Sequence, residues 1–162
     1  MMGMKGKQIV KVNVEELINL MNKALADEWL AYYQYWVGAK IVKGPFMGAV
    51  KAELQEHAQE ELKHADMLTE RILVLGGSPI IHPQKWFEMS NCKYAEPKDP
   101  STKAILKQNI DGERCAISVY QKLIELTEGK DILSYNMFVS ILEEEVEHED
   151  DLENYLEVIT NV

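Results

Sequence analysis

Two Glu-x-x-His motifs are the residues of this sequence most suited to chemistry: Glu61–His64 in "EELKHA" and Glu145–His148 in "EEEVEHED". Residues three apart share one face of a helix. Carboxylate and imidazole groups are ligands that divalent transition metals accept. In a chain with 27 acidic residues the motif also arises by chance, so its position on the helix must decide its meaning.

The glutamates of these motifs fall on apolar stripes, where leucines are expected. Written in steps of three and four residues, each of the four long helical patterns interrupts its stripe with a glutamate near the middle. The stripes are Leu17, Met21, Leu25, Glu28, Tyr32, Tyr35; Val50, Leu54, His57, Glu61, His64, Leu68, Ile72, Leu75; Leu106, Ile110, Glu113, Ile117, Tyr120, Ile124; and Phe138, Leu142 (or Ile141), Glu145, His148, Leu152, Leu156, Ile159. Singly, each glutamate reads as a solvated surface residue. Four buried carboxylates in one bundle instead require compensating cations.

The ligand set indicates which cations. Four carboxylates and two imidazoles without a thiolate favour iron or manganese over a structural zinc. One Glu from each of two helices, with Glu-x-x-His from each of the other two, is the arrangement of ferritin-like di-iron and di-manganese bundles. The roles expected are Glu28 and His64 on one metal, Glu113 and His148 on the other, and Glu61 and Glu145 as bridges. Bridging would hold the metals about 3.5–4 Å apart.

The elements that must position these ligands are four long helices in a single domain, 1–162, with no convincing strand. We expect an N-terminal arm at 1–12 and helices at about 13–43, 46–76, 101–128 and 131–160. Short links make the first pair and the last pair antiparallel. The crossover at about 77–100 is long enough to run back along the bundle, which makes the second and third helices parallel. In it, "PQKWFEMSN" could form a short helix pinned to the bundle by Trp86 and Phe87.

The net charge of −10 favours attraction of cations and argues against a nucleic-acid surface. Lys5, Lys7 and Lys11 could touch phosphate but read more simply as a solvated arm. No apolar run reaches the length of a membrane span, and "MMGMKGKQIVK" has no apolar core of a signal peptide. We therefore expect a cytoplasmic protein without membrane contact, and DNA binding is not expected.

The chain resembles the ferritin superfamily, and "DEWLAYYQYW" with "QEELKHADMLTERI" looks most like bacterioferritins and Dps-like proteins. The 33-residue step from Glu28 to Glu61 is similar to the family's spacing between its first and its bridging ligand. Bacterioferritins carry a haem-ligating methionine directly after that bridging glutamate; here the residue is Leu62, so haem is not expected. The sequence ends at Val162 without a fifth helix, which favours a Dps-like cage of twelve subunits over one of 24.

Cys92 in the crossover and Cys115, two residues after Glu113, resemble the cysteine pattern of the Dps-like thioferritin branch. Cys115 lies about 200° around its helix from Glu113, facing away from the metals and towards a crossover that carries Cys92. The resemblance implies a redox-active thiol pair; the alternative is two inert, reduced thiols packed as small hydrophobes. Tyr32 and Tyr35 match positions that support the ligands in the family, although aromatic core packing would also explain them.

The expected function is a ferroxidase that stores iron, protecting against oxidative stress. Two Fe(II) per subunit would be oxidised by hydrogen peroxide or O2 and stored as ferric mineral in a hollow homo-oligomer; peroxide as oxidant is implied by the resemblance alone. Manganese or zinc would also fit the site in a crystal. The alternatives are a dimanganese catalase or rubrerythrin-like peroxidase without storage and, from another class, a Dps-type DNA-binding protein.

Overall fold

The computed structural model describes residues 3–161 and confirms an all-α four-helix bundle. The helices are α1 Met4–Ile9, α2 Val14–Ile41, α3 Met47–Leu75, α4 Gln84–Met89, α5 Thr102–Thr127 and α6 Ile132–Thr160. The bundle consists of α2, α3, α5 and α6. The N-terminal segment, expected as an arm, contains the short helix α1. Within residues 3–161 no helix is both long and apolar enough to cross a membrane.

The helix ends follow from capping residues in the sequence. Asn13 Oδ1 accepts a hydrogen bond from the backbone N–H of Glu16 at the start of α2 (3.3 Å). Ser101 Oγ accepts one from the N–H of Ala104 at the start of α5 (3.3 Å). Gly76 ends α3 in the left-handed region at φ +91°, where glycine is favoured.

The crossover spans the full length of the bundle. It leaves α3 at Gly76 and ends beside the α2–α3 turn, where the N–H of Lys43 donates to the carbonyl of Pro100 (2.8 Å) and the N–H of Thr102 donates to the carbonyl of Lys43 (2.9 Å). Helices α3 and α5 therefore run parallel. Within the crossover, Trp86 of α4 stacks on Trp29 of α2, with ring centroids 5.2 Å apart.

Phe87 does not pin α4 to the bundle. Its side chain is 66% exposed, and it contacts Tyr94 of the same crossover edge-on. The two aromatic residues project from neighbouring positions of a short helix, and only the face that carries Trp86 is turned towards α2. The prediction for Trp86 is confirmed and that for Phe87 is wrong.

The apolar core is divided into two clusters, one towards each end of the bundle. One contains Leu17, Met21, Leu68, Tyr120 and Phe138 among others. The other is built around a second set, which includes Tyr35, Val50, Leu54, Ile105 and Leu152. The glutamates and histidines of the predicted site lie on the same helices between these clusters. The bundle therefore has enough apolar packing on both sides to hold a polar centre.

A buried ion pair joins the last turns of α3 to the start of α6. Asp131 caps α6, and its carboxylate accepts two hydrogen bonds from Arg71 Nη2 of α3, at 2.9 and 2.7 Å. Arg71 Nε also donates to Ser134 Oγ (2.8 Å). Burial opposes ionisation of Asp131, but Ser134 and Arg71 hold the pKa of its carboxyl below the usual range.

Replacing Arg71 by methionine should destabilise the protein by about 3–5 kcal/mol, because it leaves the Asp131 carboxylate buried without its cation. The folded pKa of Asp131 is depressed, so its stabilisation is present above the unfolded value of about 3.9 and is lost as the pH falls below it. Urea unfolding at pH 7 measures the loss. Arg114→Met, which removes an exposed pair with Glu149 and Glu153, is the matched control and should have little effect. Equal effects of the two variants would contradict this assignment.

Candidate metal centre

The six predicted ligands lie together at the centre of the bundle, and each is at most 3% exposed. They are Glu28 on α2, Glu61 and His64 on α3, Glu113 on α5, and Glu145 and His148 on α6. Their donor atoms form two groups, each with all members within 4.8 Å of one another: Glu28, Glu61, His64, Glu145, and Glu61, Glu113, Glu145, His148. Glu61 and Glu145 belong to both groups. This is the arrangement that two metals with two bridging carboxylates require.

Each histidine presents Nδ1 to the centre. Nδ1 of His64 lies 3.2 Å from Glu145 Oε1, 3.5 Å from Glu28 Oε2 and 3.6 Å from Glu61 Oε2. Nδ1 of His148 lies 3.5 Å from Glu61 Oε1, 3.7 Å from Glu145 Oε2 and 3.8 Å from Glu113 Oε2. An approximate twofold axis therefore relates the half of the site on α2 and α3 to the half on α5 and α6.

The outer nitrogens of both rings are held by a second layer of glutamates. Nε2 of His64 lies 3.1 Å from Glu144 Oε2, and Nε2 of His148 lies 2.8 Å from Glu60 Oε2. A carboxylate that accepts Nε2–H fixes the tautomer with its lone pair on Nδ1 and makes that nitrogen a better ligand. Glu60 and Glu144 each precede a bridging glutamate by one residue, so both layers come from the same two helices.

The donor atoms fit metal binding because five of them lack another partner. Glu61 Oε1, both carboxylate oxygens of Glu145, and Nδ1 of His64 and His148 are buried without a hydrogen bond in the described part of the chain. Leaving such atoms unpaired is costly, and a pair of divalent cations would satisfy them together.

Without metals, protons balance the charge. Burial and the charges of Glu145 and Glu61 raise the pKa values of Glu28 and Glu113 well above the usual range. Burial disfavours protonation of His64 and His148, but the surrounding glutamates raise the pKa of both rings. Burial likewise opposes ionisation of Glu61, yet its contacts with the two histidines lower its pKa. Metals would have to displace these protons, so binding should weaken as the pH is lowered.

Two buried tyrosines hold the terminal glutamates from across the bundle. Tyr35 of α2 donates its hydroxyl proton to Glu113 of α5, and Tyr120 of α5 donates to Glu28 of α2. Each tyrosine follows a ligand by seven residues but contacts the ligand on the other helix. The structure thus places Tyr35 beside the site as predicted. Tyr32 is half-buried and contacts Trp29 edge-on instead. The contact of Tyr120 with Glu28 was not predicted.

Tyr120→Phe should weaken Co(II) or Zn(II) binding by about 10-fold to 100-fold, because it frees Glu28 from the hydroxyl that orients it. Tyr35→Phe should do the same through Glu113. Titration of metal-free protein with Co(II), followed by its visible absorption, measures the affinity. Tyr33→Phe removes an exposed hydroxyl from α2 and should bind with wild-type affinity. An unchanged affinity in both buried variants would mean that the tyrosines only fill space.

The crossover is fastened over one side of the site. Asp27, next to Glu28, accepts hydrogen bonds from Asn91 Nδ2 and from the backbone N–H of Cys92, both at 2.7 Å. Burial raises the pKa of Asp27 to about 6, and those two hydrogen bonds oppose that rise. Sequence reasoning missed this contact; the only local signal is an acid directly beside a ligand.

Cys92 and Cys115 form a disulfide, with their Cα atoms 5.8 Å apart. The expectation that Cys115 lies under the crossover agrees with this placement, whereas two separate reduced thiols do not describe this structure. The bond joins the crossover to α5 at two residues beyond Glu113. The loop that the bond closes, residues 92–115, includes Glu113.

Two clefts reach the site from different sides. One, under the crossover, is lined by Cys92, Asn109 and Gly112 together with the ligands Glu28, Glu61, Glu113 and Glu145. The other lies between α3 and α6 and is lined by seven acidic or imidazole side chains besides His148: Glu53, Glu56, His57, Glu60, Glu144, Glu147 and Asp151. The second cleft carries a concentrated negative charge that attracts cations.

The family model of the ferritin-like domain matches residues 18–162. The chain belongs to the ferritin-like family. In this chain the central cluster of glutamates and histidines comes from all four bundle helices.

Individual relatives include a thioferritin, a starvation-protection protein and a bacterioferritin. The dodecameric thioferritin of Bacteroides fragilis, a bacterioferritin-related protein, is 46% identical with a TM-score of 0.92, over 93% of this chain and 90% of that chain. The "DNA protection during starvation protein" of Pyrococcus furiosus is 34% identical over 85% of this chain and 75% of its own. The bacterioferritin structure of Rhodobacter capsulatus is 28% identical with a TM-score of 0.75, over 91% and 87%.

Proposed function

We propose that this ferritin-like protein is a ferroxidase that takes Fe(II) as its substrate and stores the ferric product. The observation that carries the proposal is the pair of four-residue groups that share Glu61 and Glu145, in which five buried donor atoms have no other partner. Their oxygen and imidazole donors suit iron or manganese. The six binding residues proposed are Glu28, Glu61, His64, Glu113, Glu145 and His148.

The proposed oxidant is hydrogen peroxide, with O2 as the alternative. In net terms, two Fe(II) and two protons convert one hydrogen peroxide into two waters and leave two Fe(III). Binding the two irons as a pair lets both electrons leave together, which avoids one-electron products of peroxide. The chain would then protect against oxidative stress by removing Fe(II) and peroxide. Its own residues hold the irons and fix the histidine tautomers through Glu60 and Glu144.

The proposed assembly is a hollow cage of twelve copies. Support comes from the Bacteroides fragilis thioferritin, which is dodecameric and similar over most of both chains. Leu62 stands where bacterioferritins carry a haem-ligating methionine, so we propose no haem. For Cys92 and Cys115 we propose a redox pair, in which two electrons and two protons from a thiol reductant open the disulfide to two thiols.

Iron loading tests this proposal. Metal-free assembly is given Fe(II) without oxygen, followed by hydrogen peroxide or O2, and is then passed through gel filtration. Ferroxidase with storage predicts that far more iron elutes with the protein than the two ions that the site can bind. Rapid peroxide turnover without iron retention would instead indicate a dimanganese catalase or a rubrerythrin-like peroxidase. An electrophoretic shift of DNA at physiological salt would support a DNA-binding function, which the charge of −10 argues against.

A further inference from the structure

A groove of about 310 Å³ lies beside the disulfide, where α2, α5 and the crossover meet. Its walls include Cys115, the cation Lys122 and four apolar side chains: Leu20, Val119, Leu123 and Leu126. We infer that this groove binds a small anionic thiol, whose thiolate attacks the sulfur of Cys115 and opens the disulfide. The inference rests on the proposed redox role of the cysteine pair and specifies where its reductant binds.

The two cysteines line different cavities. Cys115 lines the groove, whereas Cys92 lines the cleft under the crossover together with the proposed metal ligands Glu28 and Glu113. Both cysteines are half-buried. A thiolate attacks one sulfur of a disulfide and displaces the other, so access decides which sulfur is attacked. A thiol held in the groove therefore reaches Cys115, and Cys92 is the leaving group.

The walls of the groove indicate the chemistry of the thiol. The leucine and valine side chains favour an apolar carbon skeleton. Lys122 is exposed and favours a negatively charged group, such as a carboxylate, on the same molecule. The volume is at the lower limit of cavities that hold small molecules. The occupant that fits is therefore a small thiol with an apolar part and an anionic group.

Two thiol molecules complete the reaction. The first thiolate forms a mixed disulfide with Cys115 and releases Cys92 as a thiolate, which takes up a proton. The second thiolate attacks the thiol's own sulfur in the mixed disulfide and releases Cys115, which is protonated in turn. The disulfide gains two electrons and two protons, and the two thiols leave as their own disulfide. Cys92 is freed first, on the side of the cleft that reaches the metal centre.

The position of the first adduct tests the inference. Oxidised full-length assembly is mixed with mercaptomethylbenzoate, which carries a thiol, an apolar ring and a carboxylate, and is quenched with iodoacetamide after short times. Trypsin cleaves after Lys93 and Arg114, so the two cysteines fall in separate peptides. Mass spectrometry should find the benzoate adduct on Cys115 and the iodoacetamide label on Cys92. The reverse labelling would overturn the inference and leave the redox pair intact; a disulfide that the thiol cannot open in the folded protein would overturn both.

The rate of disulfide opening tests binding in the groove. It should level off as the concentration of mercaptomethylbenzoate is raised, because the thiol binds before it reacts. Lys122→Glu should slow the reaction at low thiol concentration by about 3-fold to 10-fold, because repulsion of the carboxylate replaces attraction. The reaction of this variant with uncharged mercaptoethanol should keep the wild-type rate.

Lys103→Glu is the matched control, because it makes the same change of charge at an exposed position of α5 outside the groove. It should react with both thiols as wild type does. Equal slowing by the two lysine substitutions would mean that only the overall charge acts, and a rate strictly proportional to thiol concentration would mean that no complex forms. Either result would overturn the binding groove, whichever cysteine carries the adduct.

Discussion

Replacing Glu61 and Glu145 by alanine should reduce the rate of Fe(II) oxidation by at least about 100-fold, because both halves of the centre depend on these carboxylates. Loss of a residue that only orients a ligand typically costs 10-fold to 100-fold in metal affinity, so loss of two shared ligands should cost more. Each half would keep one carboxylate and one imidazole, Glu28 with His64 or Glu113 with His148. Two ligands are too few to hold Fe(II) firmly beside a second iron.

The measurement is the initial rate of ferric absorbance after addition of Fe(II) and peroxide to metal-free protein. Glu70→Ala/Glu157→Ala is the matched control, because it removes two exposed glutamates from the same two helices. It should oxidise Fe(II) at the wild-type rate. If the Glu61/Glu145 variant keeps the original rate while remaining folded and assembled, oxidation occurs elsewhere and the central site has another purpose.

The positions of the six proposed ligands were predictable because they depend on periodicity within single helices. A carboxylate that falls on the buried stripe of a helix must face the core, whichever neighbour the helix packs against. Four stripes interrupted at similar heights then place Glu28, Glu61, Glu113 and Glu145 together once the helices pair. The links determine that pairing, and the long crossover made the parallel relation of α3 and α5 predictable as well.

Contacts that depend on the relative height of two helices were not predictable in the same way. Tyr120 lies on the apolar stripe of α5, where it reads as core, and only the packed structure shows that it donates to Glu28 on α2. A usable signal was present, because Glu28–Tyr35 and Glu113–Tyr120 are both seven residues apart. The ion pair between Arg71 and Asp131 could not be predicted from the sequence either. Their pairing depends on how far α3 runs past the start of α6.

The metal-free protein should become more stable at neutral pH when Glu28 and Glu113 are replaced by glutamine. Burial and neighbouring carboxylates raise the pKa of both groups, so the folded state keeps protons that the unfolded chain releases above about pH 4.3. The folded wild type therefore loses stability as the pH rises, by up to about 1.4 kcal/mol per pH unit for each group. Glutamine is neutral at every pH and has nearly the same shape, and its carbonyl can still accept the hydroxyl of Tyr120 or Tyr35.

Chemical unfolding of EDTA-treated protein between pH 4.5 and 6 measures this effect. In that range the unfolded chain holds most of its histidine protons, so the titration of His64 and His148 contributes little. The difference in unfolding free energy between Glu28→Gln/Glu113→Gln and wild type should grow with pH. The unfolding free energy of the control variant Glu70→Gln/Glu157→Gln should change with pH in the same way as that of wild type. One protein concentration must be used throughout, because assembly contributes to stability.

With Zn(II) bound, wild type should become more stable to unfolding than the Glu28→Gln/Glu113→Gln variant, which reverses their order without metal. A cation at 1,000 times its dissociation constant stabilises a folded protein by about 4 kcal/mol per site, and wild type should gain this at its central pair. The glutamine variant has lost a charged ligand from each half of the centre and should gain far less. If the variant is less stable than wild type without metal, the glutamates contribute favourably to the fold by themselves. If it is more stable without metal but less stable with it, the four buried glutamates serve metal binding and lower the unfolding free energy of the metal-free protein.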